Sequence, residues 1–202
     1  FIFSARLAAY ENKDLKEQLS TLISENAYLR RELSENEAVI EQRMSLNPKT
    51  YNLLAARPVG VNRYLKIDKG SLDGVKTKAA VVFKDNFIGQ VVSTSEKGAN
   101  VKLLADPDSK IGAFSFGKEG KAKGVILGQF GTELLMDKIL HEETISVGDL
   151  VYSEGTEGFL PRGLILGRVS EILDRPNEVF KQAKVKPVFD TGDLEVVFLI
   201  LE

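Results

Sequence analysis

A hydrolytic site needs a nucleophile, a base within its reach and a third group that orients the base. This sequence offers one histidine for the purpose, His141, within Leu140-His141-Glu142-Glu143-Thr144. Ser109, Ser115 and Ser153 could serve as its nucleophile. None of them sits in a Gly-x-Ser-x-Gly elbow, the strained turn that presents a catalytic serine. His141 is therefore expected to be an exposed loop residue, with a serine hydrolase kept as the alternative. Asp106-Pro107-Asp108-Ser109 invites comparison with a calcium loop but lacks the evenly spaced ligands and the closing glutamate of an EF-hand. It reads as a turn in which aspartate side chains accept bonds from nearby backbone N–H groups. There is no cysteine, so disulfides, thiolate catalysis and zinc–thiolate sites are all excluded. No phosphate-cradling or dinucleotide-binding glycine motif is present. The expectation is no catalytic site, no cofactor and no metal.

Charge narrows the partners. The formal net charge is −2 over 202 residues. Residues 1–47 hold six Lys/Arg against eight Asp/Glu, and the remainder holds 21 of each. Neither portion is the basic footprint that phosphate neutralisation requires. A pair of OB-like barrels binding nucleic acid would need a basic groove with stacked aromatics, so no nucleic-acid partner is expected. What remains for function is surface. Phe159-Leu160-Pro161 lies among Gly155, Gly158 and Gly163, an apolar content unusual for an exposed loop. It reads either as a partner-binding loop built on Phe159 and Leu160, or as a loop folded back to plug a barrel.

The elements that carry these residues fall into two kinds. Beyond Thr50, alternation and β-branched runs punctuated by glycine predict strands at 53–59, 63–67, 80–84, 87–93, 100–104 and 111–116. Further strands are expected at 122–127, 133–137, 150–152, 165–173, 184–189 and 196–201. A faint echo runs through this part. Gly74-Val75, Ala80-Val81-Val82 and Ile88-Gly89-Gln90-Val91 have counterparts in Gly148-Asp149-Leu150-Val151 and Leu166-Gly167-Arg168-Val169. Glycine inside a strand marks a bulge or tight bend, as the corners of small barrels need. The fold expected is mainly β, with two small, roughly six-stranded β-barrel domains in 48–202, their boundary open and the two possibly interleaved. Paired barrels are also the architecture of trypsin-like hydrolases, but a fold is not a site.

Ahead of the barrels a helix is expected from about Ser4 to Leu46, ended by Asn47-Pro48 because proline removes a donor and restricts its predecessor. Leu15, Leu19, Leu22, Asn26, Leu29, Leu33, Asn36 and Ile40 follow at alternating spacings of four and three. That 3.5-residue period keeps one stripe against a partner helix in a left-handed supercoil. Asn12 and Asn26 at a positions favour two parallel strands in register. Across such a dimer Glu11 meets Lys16 and Glu25 meets Arg30, whereas Glu32 meets Glu37. Residues 1–47 are thus expected to be a dimerising coiled coil, the alternative being one amphipathic helix packed on its own domain. No stretch reaches the roughly 20 apolar residues a membrane helix needs. Phe1-Ile2-Phe3 reads either as a vector scar or the frayed start of the helix, or as the tail of a removed signal or anchor.

In order along the chain stand Ile67-Asp68-Lys69-Gly70-Ser71, Asp73-Gly74-Val75, Ile88-Gly89-Gln90-Val91, Asp106-Pro107-Asp108-Ser109 and Gly124-Val125-Ile126-Leu127-Gly128. Val147-Gly148-Asp149-Leu150-Val151 and the run from Phe159 to Val169 complete the set. Behind a coiled coil, this set resembles the rod shape-determining MreC family. Lys78-Ala79 and Ser153-Glu154-Gly155 depart from that family's turns. The resemblance implies a non-enzymatic dimeric scaffold of the bacterial cell elongation machinery that maintains cell shape by organising peptidoglycan synthesis. It further implies a single-pass membrane anchor upstream of residue 1, with this part extracytoplasmic. The partners it implies are a penicillin-binding transpeptidase and other membrane proteins of the elongation complex.

Overall fold

The computed structural model of the chain describes residues 2–46, 51–129, 133–155, 160–175, 178–189 and 194–201; for 2–12, 14, 43 and 44 it describes the backbone alone. Two compact units emerge, residues 1–41 and 42–202. The helix α1 runs Ile2–Ser45. Its sequence contains neither glycine nor proline, so nothing interrupts the hydrogen-bond ladder. Leu15, Leu19, Leu22, Leu29, Leu33 and Ile40 are each 55–63% exposed. The expected stop at Asn47-Pro48 lies outside the described residues, as does Phe1.

Among the described residues the second unit has thirteen strands joined in one hydrogen-bonded sheet. They are β1 (Asn52–Ala56), β2 (Pro58–Val61), β3 (Leu65–Ile67), β4 (Ala80–Phe83), β5 (Asn86–Thr94), β6 (Ala99–Leu103) and β7 (Lys110–Phe116). There follow β8 (Lys121–Gly128), β9 (Leu134–Ile139), β10 (Leu150–Ser153), β11 (Ile165–Leu173), β12 (Lys181–Lys186) and β13 (Val197–Leu201). The strand expected over 53–59 is broken in two at Arg57, whose N–H bonds Asp68 Oδ1 at 2.7 Å.

Antiparallel pairing carries β7 to β8, β8 to β9, β9 to β12, β12 to β11, β11 to β10 and β10 back to β7. This is a closed barrel of six strands. Its strands bury Ile126, Leu134, Met136, Val151, Leu166 and Val185, with Leu134 and Met136 at alternate positions of β9. The remaining strands pair in the order β1–β13–β4–β5–β6–β3–β2. The final strand thus returns between β1 and β4. Leu65, Ile67, Val81, Ile88, Val101 and Leu199 lie in the core of this second set. The two sets meet where β5 and β11 begin, in a parallel pairing of Asn86 with Ile165.

The sequence echo has a structural counterpart at this point. Register shifts interrupt the antiparallel pairings of β5 with β4 and β6 and those of β11 with β10 and β12. A Cβ placed on Gly89 would lie 2.2 Å from the Lys102 carbonyl oxygen, and one on Gly167 would lie 2.6 Å from that of Lys186. Each glycine lets a neighbouring strand approach more closely than any side chain would permit.

Candidate functional site

His141 sits in the turn after β9, exposed. Its Nε2 lies 2.9 Å from the Glu178 carbonyl oxygen and its Nδ1 3.3 Å from Asp174 Oδ1. Both ring nitrogens therefore face oxygen atoms of the loop after β11 rather than a serine. Ser153 is fully buried, its hydroxyl donating to the Pro161 carbonyl at 2.6 Å and accepting from the Leu164 N–H at 3.0 Å. That hydroxyl closes the base of the loop between β10 and β11. Ser115 is buried on β7 and its hydroxyl finds no protein partner. Ser109 belongs to the aspartate turn, its N–H donating to the Asp106 carbonyl at 2.8 Å. Base and nucleophile are not brought together among the described residues.

The Asp106 turn is held from several sides. The Asp108 N–H donates to Asp106 Oδ1 at 2.9 Å, and Arg63 Nε reaches Asp106 Oδ2 at 3.3 Å. Arg63 also pairs with Asp108 through Nη2. Burial pushes the Asp106 carboxyl up, but the Asp108 N–H and the Arg63 guanidinium outweigh it and hold the group below the ordinary carboxylate range. Gly128 packs on the turn so closely that a Cβ there would stand 2.0 Å from the Asp106 carbonyl oxygen. Both carboxylate oxygens of Asp106 are thus occupied by the protein itself. Among the described residues no group of three or more His, Asp or Glu side chains could hold a metal ion.

Of the two residues expected in a partner-binding loop, Phe159 lies outside the described residues. Leu160 is 4% exposed. It lines a cleft of about 240 Å³ with Phe87, Gln90, Lys102 and Ile111. Leu160 itself is buried, whereas the loop reading as a whole turns on Phe159, outside the described residues.

The outer face of the barrel carries what the loop does not. Strand register sets Lys121 on β8 opposite Phe116 on β7, Phe116 opposite Leu150 on β10, Leu150 opposite Arg168 on β11, and Arg168 opposite Lys186 on β12. Phe116 is 66% exposed, Leu150 half-buried, and the three cations are exposed. Beside this row Phe114 stacks on Tyr152, centroids 5.5 Å apart. Lys121 Nζ lies 5.1 Å and Arg162 Cζ 4.8 Å from the Phe114 ring centroid. Lys123 pairs with Glu154 at 2.8 Å, and that bond holds the Glu154 carboxyl below its ordinary range. The members of this face come from five strands, so no single stretch of sequence displays it. The one local signal was Phe114-Ser115-Phe116, alternate aromatics that must share a side of a strand.

The family model described as rod shape-determining protein MreC, barrel core, matches residues 53–201. The cell shape-determining protein MreC of Listeria monocytogenes is 32% identical over 200 residues, covering 94% of this chain and 68% of its own length. The chain spans about two thirds of the length of the curated relatives it matches. A solved structure of MreC from Listeria is 27% identical, covers 95% of each chain and has a TM-score of 0.68. A solved complex between penicillin-binding protein (PBP2) and MreC from Helicobacter pylori contains a chain of the same fold, with a TM-score of 0.59 at 19% identity over 74% of this chain and 98% of that one.

Proposed function

The chain belongs to the MreC family of rod shape-determining proteins, and from that premise we propose that it is a non-enzymatic, dimeric scaffold of the cell elongation machinery. Two copies join through a parallel coiled coil formed by residues 1–47. Their β units hold an extracytoplasmic penicillin-binding transpeptidase and so organise peptidoglycan synthesis. An anchor upstream of residue 1 fixes the chain to the membrane with this part outside the cytoplasm.

The observation that carries the proposal is the helix seam. Leu15, Leu22, Leu29, Leu19, Leu33 and Ile40 are each 55–63% exposed in the single chain. Six large aliphatic side chains in strict heptad order have nothing to bury against in one helix, and a second copy supplies it. The Helicobacter complex supports a penicillin-binding protein as partner. Within residues 48–202 we read two interleaved barrels. Besides the closed ring of β7 to β12, the path from β1 through β13 to β2 closes on itself if β1 and β2 act as one strand bent at Arg57.

Titration against the extracytoplasmic part of the transpeptidase tests the proposal. The comparison is between the full chain and one beginning at Gln42, which keeps every residue of the second unit. Both bind, and the full chain binds more tightly because two copies of each weak contact act together. Equal affinity for the two removes the dimeric scaffold. Turnover of a peptide or ester substrate that is lost in His141→Ala would favour the trypsin-like hydrolase instead.

A further inference from the structure

We propose that the row Lys121–Phe116–Leu150–Arg168–Lys186 on the outer face of the barrel is the surface that holds the transpeptidase, through an acidic patch of that enzyme built around an apolar side chain. The inference rests on the scaffold reading and adds the face and the chemistry of its partner.

Three features single the row out. Its order is cation, aromatic, aliphatic, cation, cation, with no carboxylate among the five. Phe116, two-thirds exposed at 66%, stands at the apolar centre, at the end of β7, where an exposed aromatic can anchor a contact. Arg168 and Lys186 face one another directly, and like charges opposed across strands destabilise a sheet. Among the described residues Arg168 has no ion-paired carboxylate, and Lys186 has one loose pair, with Glu133. The Arg168 guanidinium donates to the Gly148 carbonyl at 2.6 Å, which leaves its charge uncompensated and further N–H groups free to donate. The Lys186 Nζ forms a loose, exposed ion pair with Glu133, 3.9 Å from its Oε1, and such a pair balances the charge only weakly. A partner carboxylate would relieve this repulsion. Lys121 lies three strands from Arg168, about 14 Å at the usual strand spacing. The complementary surface therefore has an apolar residue with carboxylates to either side.

The test is titration of the full chain, and of full-length Phe116→Ser and Lys186→Glu, with the extracytoplasmic part of the transpeptidase at two salt concentrations. A melting curve accompanies each variant. Lys186→Glu sets opposite charges face to face with Arg168 but gives up the loose pair with Glu133, and its melting curve reads the balance. Binding weakened about tenfold in both variants, with unchanged melting and a shallower salt dependence for Lys186→Glu, supports the proposal. Parent-like binding by both variants overturns this face and leaves the scaffold reading standing. No binding by the parent chain overturns both. If Lys186→Glu instead disrupts association between copies and spares the transpeptidase, the face belongs to a second copy and the proposal fails.

Discussion

The carboxamide of Gln42 closes two hydrogen bonds on the backbone of Lys84: its Nε2 donates to the Lys84 carbonyl at 2.9 Å, and its Oε1 accepts the Lys84 N–H. Gln42 is 1% exposed, and Lys84 stands at φ 53° in the turn joining β4 to β5. A left-handed non-glycine residue is unfavourable unless its surroundings hold it. The glutamine does so, satisfying both polar groups of one peptide position. Gln42→Ala is expected to lower stability by about 2 kcal/mol, the cost of leaving such groups without partners. Chemical denaturation of the full chain measures this. An unchanged midpoint would mean that water replaces the amide without loss.

Gly89 and Gly167 make a paired prediction. Alanine at either position drives a Cβ into a neighbouring backbone carbonyl, 2.2 Å away for Gly89 and 2.6 Å for Gly167. Backbone in a bulged strand cannot withdraw as a flexible side-chain tip can. Each substitution is expected to cost about 3 kcal/mol, at the upper end of what overpacking does. Gly60→Ala is the control, since nothing lies within 4 Å of its Cβ. Thermal melts that fall for the first two and hold for the third bear the argument out.

Asp106 predicts a dependence on pH. Its folded-state pKa lies below the ordinary value of 3.8, despite burial, because of the Asp108 N–H and Arg63. A depressed folded pKa contributes stability that is present above the unfolded value and lost as pH falls through the folded one. Asp106→Asn should therefore be less stable than the parent at pH 7, and the gap should narrow as pH drops below about 4. Urea midpoints of both proteins at three pH values measure it. A gap that stays constant down to pH 3 would show that the turn depends on shape alone.

In the helix, Asn26→Leu is expected to raise the melting temperature of the arm while mixing its oligomeric states, because a buried asparagine at an a position favours two strands over other assemblies. Light scattering coupled to gel filtration distinguishes the outcomes. A single species of unchanged mass would take that role away from Asn26.

Much of the fold could be read from local pattern. Strand positions followed from alternation in segments such as Lys110–Phe116, and the helix from its heptads, because each signal lies within a few neighbouring residues. Pairing partners were not legible. Nothing in Val197–Leu201 announces that it inserts between β1 and β4, or in Ile165 that it meets Asn86 in parallel. Leu160 had two readings, since an apolar loop residue looks the same whether it docks a partner or covers a cleft. Gln42 gave no signal at all, being one polar residue near the end of a charged helix. Surface function suffered most, because the row from Lys121 to Lys186 exists only once five strands are in register.

Sedimentation equilibrium of the full chain beside one beginning at Gln42 tests the dimeric scaffold most directly. The account predicts a dimer for the full chain at tens of micromolar and a monomer for the shorter one, since removing the arm removes the seam. A full chain that sediments as a monomer at that concentration would contradict it.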